Sequence, residues 1–217
     1  MRIRSLVIMF SSLFVATSYG QDLNFFRTFT PVIFEDSQGR TITIRNIEEN
    51  EFDAVKTLAT DSFAQAYGFT TQEKIDGLKK VYDVLMVEEI AFFRANHATM
   101  ISLVAICNDK IIGYFSAHLL DMPLQMYGRF LVIDPEFQRF GVAERLLKCC
   151  SEFLPSLKKV VCLTSKKNPV AQKFYEHLGG KKVENPSWMK YLYSNLNTSG
   201  YIGYEFDEAA LAAFNNR

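Results

Sequence analysis

The chain has no net charge to speak of, with 24 basic residues against 24 acidic ones among its 217. That balance gives no electrostatic footprint for a nucleic acid. It is sparing with cysteine: Cys107, Cys149, Cys150 and Cys162 are all it has. None shows C-x-x-C spacing or the histidine company of a zinc site, so no metal is implied. There is no G-K-[ST] and no G-x-G-x-x-G, which excludes a P-loop and a dinucleotide fingerprint. Past the first twenty residues, no stretch is long and apolar enough for a bilayer span of roughly 20 residues. No internal repeat or low-complexity linker occurs. What is there is ordinary and globular, at 48% hydrophobic, 14% aromatic and 22% charged. The length favours one domain with a sizeable core.

The N-terminus, "MRIRSLVIMFSSLFVATSYGQD", reads as a signal peptide over residues 1–20. Arg2 and Arg4 form the basic region, residues 5–17 the apolar region, and Ser18-Tyr19-Gly20 places the cut before Gln21. Cleavage would make the protein exported, periplasmic or secreted, with no stable membrane span left. An uncleaved anchor or a mis-assigned start are the alternatives, and without export the protein is cytoplasmic. The cysteines pull the other way. Cys107 and Cys162 end apolar runs, and Cys149 and Cys150 diverge by about 100° on a helix. They read as reduced, buried thiols, although an exported chain could pair some of them.

Residues 21–40 are a polar and aromatic lead-in closed by the turn-like "DSQGR". "TITIRNI" (41–47) alternates and predicts a strand. A helix follows with Asn50 as its cap and Phe52, Val55, Leu58 and Ala59 inward. A longer helix begins at Thr70 or Thr71 and runs to about Asn96, with Ile75, Leu78, Val81, Leu85 and Val87 as apolar positions. Two strands around "NDK" predict a hairpin, and "MYGRFLVID" a further strand stopped by Pro135. Residues 140–154 predict a helix with Val142, Leu146, Leu147, Cys150 and Leu154 on one face. After the strand "KKVVCLTS", Asn168-Pro169 open another helix that ends at Gly179. "YIGYEFD" is a late strand and "EAALAAF" a short last helix. The order β-α-α-β-β-β-α-β-α-β-β predicts a single α/β domain whose mixed central sheet is flanked by helices. Residues 128–164 should form a parallel crossover.

Gly141 stands where a strand gives way to a helix. A helix N-terminus offers unpaired N–H groups and positive partial charge, and a glycine there lets phosphates approach. A turn-shaping glycine is the plainer reading. The surrounding residues carry more. "LVIDPEFQRFGVAERLL" has Gln138, Gly141 and Ala143 in a Q/R-x-x-G-x-G/A pattern. "NPVAQKFYEHLGG" has Asn168, Ala171, Phe174, Tyr175 and Gly179 in an N-x-x-A-x-x-F-Y-x-x-x-G pattern. These blocks, with the opening "ITIRNIEENEFDAVKTL", resemble the GNAT N-acetyltransferase superfamily over roughly residues 41 to 208. Residues 41–217 would then be one GNAT-like domain.

The resemblance implies acetyl-CoA as co-substrate and transfer of its acetyl group to a primary amine by direct attack. The backbone of Gln138, Arg139, Phe140, Gly141, Val142 and Ala143 would hold the pyrophosphate. Leu131, Val132 and Ile133 would pair with the pantetheine arm, and Asn168 would lie near its thiol end. Tyr175 would protonate the leaving thiolate; its plainer reading is an aromatic on a helix face. The chain departs from the family at positions 129–130, where a glutamate base is common and Arg129 and Phe130 stand instead. His118 is the first substitute, with Asp121, Glu88 and Glu89 behind it. Gly180 replaces a frequent phenylalanine. The missing base and the leader motivate a second hypothesis: an exported GNAT-fold binding protein without activity. The loop reads only the coenzyme half, so the acyl length stays open. The acceptor amine and the oligomeric state are not legible.

Overall fold

The structure, a computed structural model, describes residues 29–95, 99–120, 125–153, 157–188 and 200–215. Its strands are Val32–Glu35 (β1), Thr41–Asn46 (β2), Met100–Cys107 (β3), Lys110–Leu119 (β4), Gln125–Ile133 (β5), Lys159–Ser165 (β6), Lys181–Val183 (β7) and Tyr201–Asp207 (β8). Its α-helices are Phe52–Ala66 (α1), Gln72–Ala95 (α2), Val142–Phe153 (α3), Pro169–His177 (α4) and Glu208–Asn215 (α5). The eight strands form one mixed sheet in the order β1-β2-β3-β4-β5-β6-β8-β7. Only β5 and β6 are parallel. The helix α3 between them makes this the expected crossover, while β3 and β4 join through Asn108 and Asp109, both at positive φ as a two-residue hairpin turn requires.

Alternation along β4 and β5 separates two cores. Tyr114, Phe130 and Val132 face α1 and α2 and meet Phe52, Val55, Tyr82 and Met86. Phe115, Ala117 and Ile133 face the other way, against Val142, Leu146 and Cys149 of α3. Next to that second core, Leu178, Tyr204, Phe206 and Phe214 gather α4, α5 and β8. Burying each large apolar side chain contributes about 1.5–3 kcal/mol, so the sheet's two faces carry most of the stability. All four cysteines are free and buried, as the sequence suggested.

Three details differ from the sequence reading. The lead-in contributes a strand: β1 pairs antiparallel with β2. Its short run "VIFE" lies within an aromatic, polar stretch that hides the period. Asn50 sits inside a 3-10 turn, Glu49–Glu51, and the capping is done by a reciprocal Glu48–Glu51 box. On α2 the buried positions are Tyr82, Met86 and Glu89, whereas Val81 and Val87 are exposed. Both faces of that helix carry apolar residues, so periodicity alone misplaced the seam.

Candidate active site

Strands β5 and β6 start together and then part. Their pairing runs from Gln125 with Lys159 to Gly128 with Cys162. Beyond that point β5 continues to Ile133 paired with β4 alone, while β6 continues to Ser165 paired with β8. A gap therefore opens between Leu131, Val132 and Ile133 on one side and Leu163, Thr164 and Ser165 on the other. Backbone edges that a sheet would normally consume are left for a ligand. The last carbonyl of β5 is the exception: Ile133 O accepts from Ser62 Oγ of α1 and from Gln138 Nε2, both at 3.1 Å.

The loop after β5 leads directly into the start of a helix. Asp134 caps the 3-10 turn Pro135–Phe137 by accepting from Glu136 N–H, and Lys110 Nζ holds its carboxylate at 2.7 Å. Arg139 and Gly141 then take φ of 69° and 85°. Left-handed residues in this setting turn successive N–H groups toward one concavity. Helix α3 starts at once, and Arg145 N–H is already bonded to Gly141 O. Gly141 has no side chain to cap the N–H groups of Val142, Ala143 and Glu144, so they stay available. A Cβ built on Gly141 would meet nothing within 4 Å; the space before the loop is open. The residues present fit a pyrophosphate. Arg40, from the β1–β2 turn, packs on this loop with its guanidinium 4.0 Å from the Phe137 ring and 4.7 Å from Phe140. Asp36 holds Arg40 in turn. Nothing in the local sequence pattern marks Arg40, because its partner loop lies about a hundred residues away.

At the vertex of the gap β5 carries a β-bulge. Ala117 faces Gly128 and Ser116 faces Phe130, which makes Arg129 the extra residue and turns both Arg129 and Phe130 toward α2. Arg129 lies 2.9 Å from Glu88 and 3.1 Å from Glu89. Glu89 is fully buried and accepts from Tyr114 hydroxyl at 2.9 Å. Burial raises the pKa of Glu89, and the adjacent guanidinium opposes that rise. The strand thus supplies the cation, and the helix supplies the carboxylates, Glu88 and Glu89, that the sequence had offered as substitutes for the strand's absent glutamate.

The two candidate catalytic side chains flank this vertex on opposite faces. Tyr175 of α4 packs on Tyr204 and Phe206, and its hydroxyl lies near the Cys162 thiol. Cys162 is the last residue of β6 paired with β5, so Tyr175 sits beside the point where the strands part. Burial pushes the Cys162 thiol up to about 12 and raises the Tyr175 phenol well above its ordinary range. His118 lies on the α1–α2 side, edge-on to Phe92 at 4.8 Å. Its Nε2 is buried with no hydrogen-bond partner among the described residues. Asn168 is buried and its Oδ1 caps α4 by accepting from Ala171 N–H at 3.1 Å. Asp121 lies outside the described residues. Among those described, no cluster of His, Cys, Asp or Glu side chains could hold a metal ion.

A β5–β6 gap, an N–H cradle at a helix start and a bulge at the vertex meet in one place. The model of the acetyltransferase (GNAT) family matches residues 57–180. The chain belongs to that family. Solved GNAT-fold structures align with it at low identity. The PaiA N-acetyltransferase of Thermoplasma acidophilum, in complex with coenzyme A, superposes with a TM-score of 0.61 at 18% identity, over 76% of this chain and 98% of that one. An acetyltransferase of Thermus thermophilus gives 0.54 at 14%, over 76% and 95%. Mycobacterium smegmatis RimJ, in complex with CoA-disulfide, gives 0.55 at 10%, over 84% and 91%. No curated protein matches. Within the GNAT frame, the glycine at position 180 has a plain cause. A Cβ there would stand 2.6 Å from Phe206 Cζ, so an aromatic from β8 already fills the space where the family often places its own.

The environment of His118 predicts an acid sensitivity. Burial, and then the charge of Arg129, lower its pKa to about 3. The unfolded chain binds this proton near pH 6.5 and the folded one does not, so stability falls as pH drops from about 6.5 toward 3. The slope is at most about 1.4 kcal/mol per pH unit. Urea unfolding of wild type and His118→Phe between pH 7 and 5 should show a flatter profile for the variant. Parallel profiles would mean that His118 is not held neutral.

Proposed function

We propose that the protein is an N-acetyltransferase that moves an acetyl group from acetyl-CoA to a primary amine by direct attack. The observation that carries this reading is the gap between β5 and β6 beside the N–H cradle, with Tyr175 lining the space where the gap closes. N–H groups from Arg139 to Glu144 would hold the pyrophosphate, and Leu131, Val132 and Ile133 would pair with the pantetheine arm. Asn168 keeps the start of α4, and with it Tyr175, beside the thiol end. The coenzyme supplies an activated thioester carbonyl. Backbone donors of β5 at the bulge polarise it, and holding both reactants in one complex supplies much of the rate.

The amine would approach from the α1–α2 face, while the leaving sulfur faces Tyr175. On that face Tyr67 and Tyr82 both stack on Phe63, at 6.0 and 5.6 Å. Trp188 is anchored nearby by its Nε1–H donating to Glu205 at 2.7 Å; the rest of the aromatic stretch 186–201 lies largely outside the described residues. His118 is uncharged at neutral pH, and burial with Arg129 beside it makes it too weak a base to take the amine proton. Its unpartnered Nε2 would instead accept a hydrogen bond from the amine and orient it, and the proton passes to water. The partly exposed Glu88 on the same face is a second acceptor.

Tyr175→Phe is the test. It should lower kcat about tenfold to a hundredfold while acetyl-CoA affinity changes less than about twofold, measured by thiol release and by calorimetry. Arg129 in place of the common glutamate favours the second reading, a coenzyme-binding protein without turnover. Tight coenzyme binding with no thiol release against a broad amine panel would establish it. Export through residues 1–20 is a further proposal, and an N-terminus at Gln21 on the protein recovered from cells would support it.

A further inference from the structure

The gap continues past the point where an acetyl group would end. It opens, on the face of α3 and α5, into a narrow apolar cavity of about 50 Å3. One end belongs to the site described above, lined by Gly128, Leu131 and Tyr175. The other end is formed by Leu147, Cys150, Leu157, Val160, Leu211 and Phe214. That end lies beneath the paired part of the strands, since Val160 sits opposite Met126. Few polar groups line it. Ser151 is one, and its hydroxyl is already donated to Lys148 O at 3.0 Å. The guanidinium of Arg129 is turned to the opposite face of the sheet by Glu88 and Glu89. Water entering such a space would lack the two to four partners it needs. An unfilled space loses the contacts its walls would otherwise make. A hydrocarbon satisfies both conditions.

We infer that this cavity receives the chain of a short-to-medium fatty acyl-CoA longer than acetyl. The inference rests on the acyl-transfer step of the reading above and replaces acetyl by a longer chain as the preferred acyl group. Tyr175, Leu211 and Phe214 line the same cavity, so an acyl chain leaving the vertex on this side runs between apolar walls. The cavity must also admit the thiol end of the coenzyme, which leaves no room for a long chain. The reaction itself is unchanged. The acyl carbon–sulfur bond breaks and an acyl carbon–nitrogen bond forms. The amine proton leaves to water. The thiolate takes a proton from Tyr175, which regains one from water.

Calorimetry with acetyl-, butanoyl-, hexanoyl- and octanoyl-CoA on the full-length protein tests this. Each fully buried methylene should tighten binding about fourfold; the four extra ones of hexanoyl-CoA give at most about 250-fold over acetyl-CoA, and partial burial should still leave about tenfold or more. Leu211→Trp, which fills the far end, should erase that advantage and leave acetyl-CoA within about twofold of wild type. If that variant fails to fold, Phe214→Ala provides the opposite change and should move the preferred chain to a longer one. Acetyl-CoA binding as well as or better than hexanoyl-CoA would overturn the inference and leave the acyl-transfer reading standing. So would a chain preference unmoved by either variant. Failure of every thioester to bind a folded sample would overturn both.

Discussion

Gly141→Glu should weaken acetyl-CoA binding by a hundredfold or more while leaving the fold intact. Two effects act together. The residue sits at φ 85°, where an L side chain costs roughly 1–2 kcal/mol. The new carboxylate also projects into the space before α3, where a Cβ meets no protein atom within 4 Å. Two like charges about 4 Å apart at an effective dielectric near 20 repel by about 4 kcal/mol, nearly three decades in affinity. Gly141→Ala separates the terms: it keeps the strain without the charge and should cost binding no more than about tenfold. Calorimetry and a thermal melt on both variants check this. Equal affinity for Gly141→Glu and wild type would remove the pyrophosphate from this loop.

Arg129→Leu should be the most damaging substitution for stability. Arg129 is 9% exposed and Glu89 is wholly enclosed, so removing the cation strands a buried carboxylate. Breaking a buried pair from one side costs about 3–5 kcal/mol, which for a chain of this size lowers Tm by roughly 10 °C. Burial already raises the Glu89 pKa, and losing Arg129 raises it further. A raised carboxyl contributes most when protonated, so the deficit should shrink as pH falls from 8 toward 5. Arg129→Leu combined with Glu89→Leu should recover much of the loss, because the desolvation cost disappears with the charge. Chemical denaturation across that pH range measures all three. A loss under about 1 kcal/mol for the single variant would mean that the carboxylate finds water and that the bulge is not held by this pair.

Much of this was readable in the chain, and the exceptions have physical causes. Asn168-Pro169 marked the start of α4 because capping is local, and the cap is there. Gly141 marked a strand-to-helix turn for the same reason. The Gly128–Cys162 vertex could not be read, since where two parallel strands stop pairing depends on a bulge in a third contact, between β4 and β5. Glu89 was visible as one of several carboxylates on α2. Its burial against Tyr114 and Arg129 follows from the helix's rotation, which apolar residues on both faces obscured. Arg40 and the cavity between α3 and α5 are products of tertiary packing alone.

The most direct measurement is a crystal structure of the protein with acetyl-CoA. The expected result is the pyrophosphate against the N–H groups of residues 139–144, the pantetheine arm between β5 and β6, and the sulfur within reach of the Tyr175 hydroxyl. A coenzyme bound elsewhere, with the gap between Leu131–Ile133 and Leu163–Ser165 left empty, would contradict it.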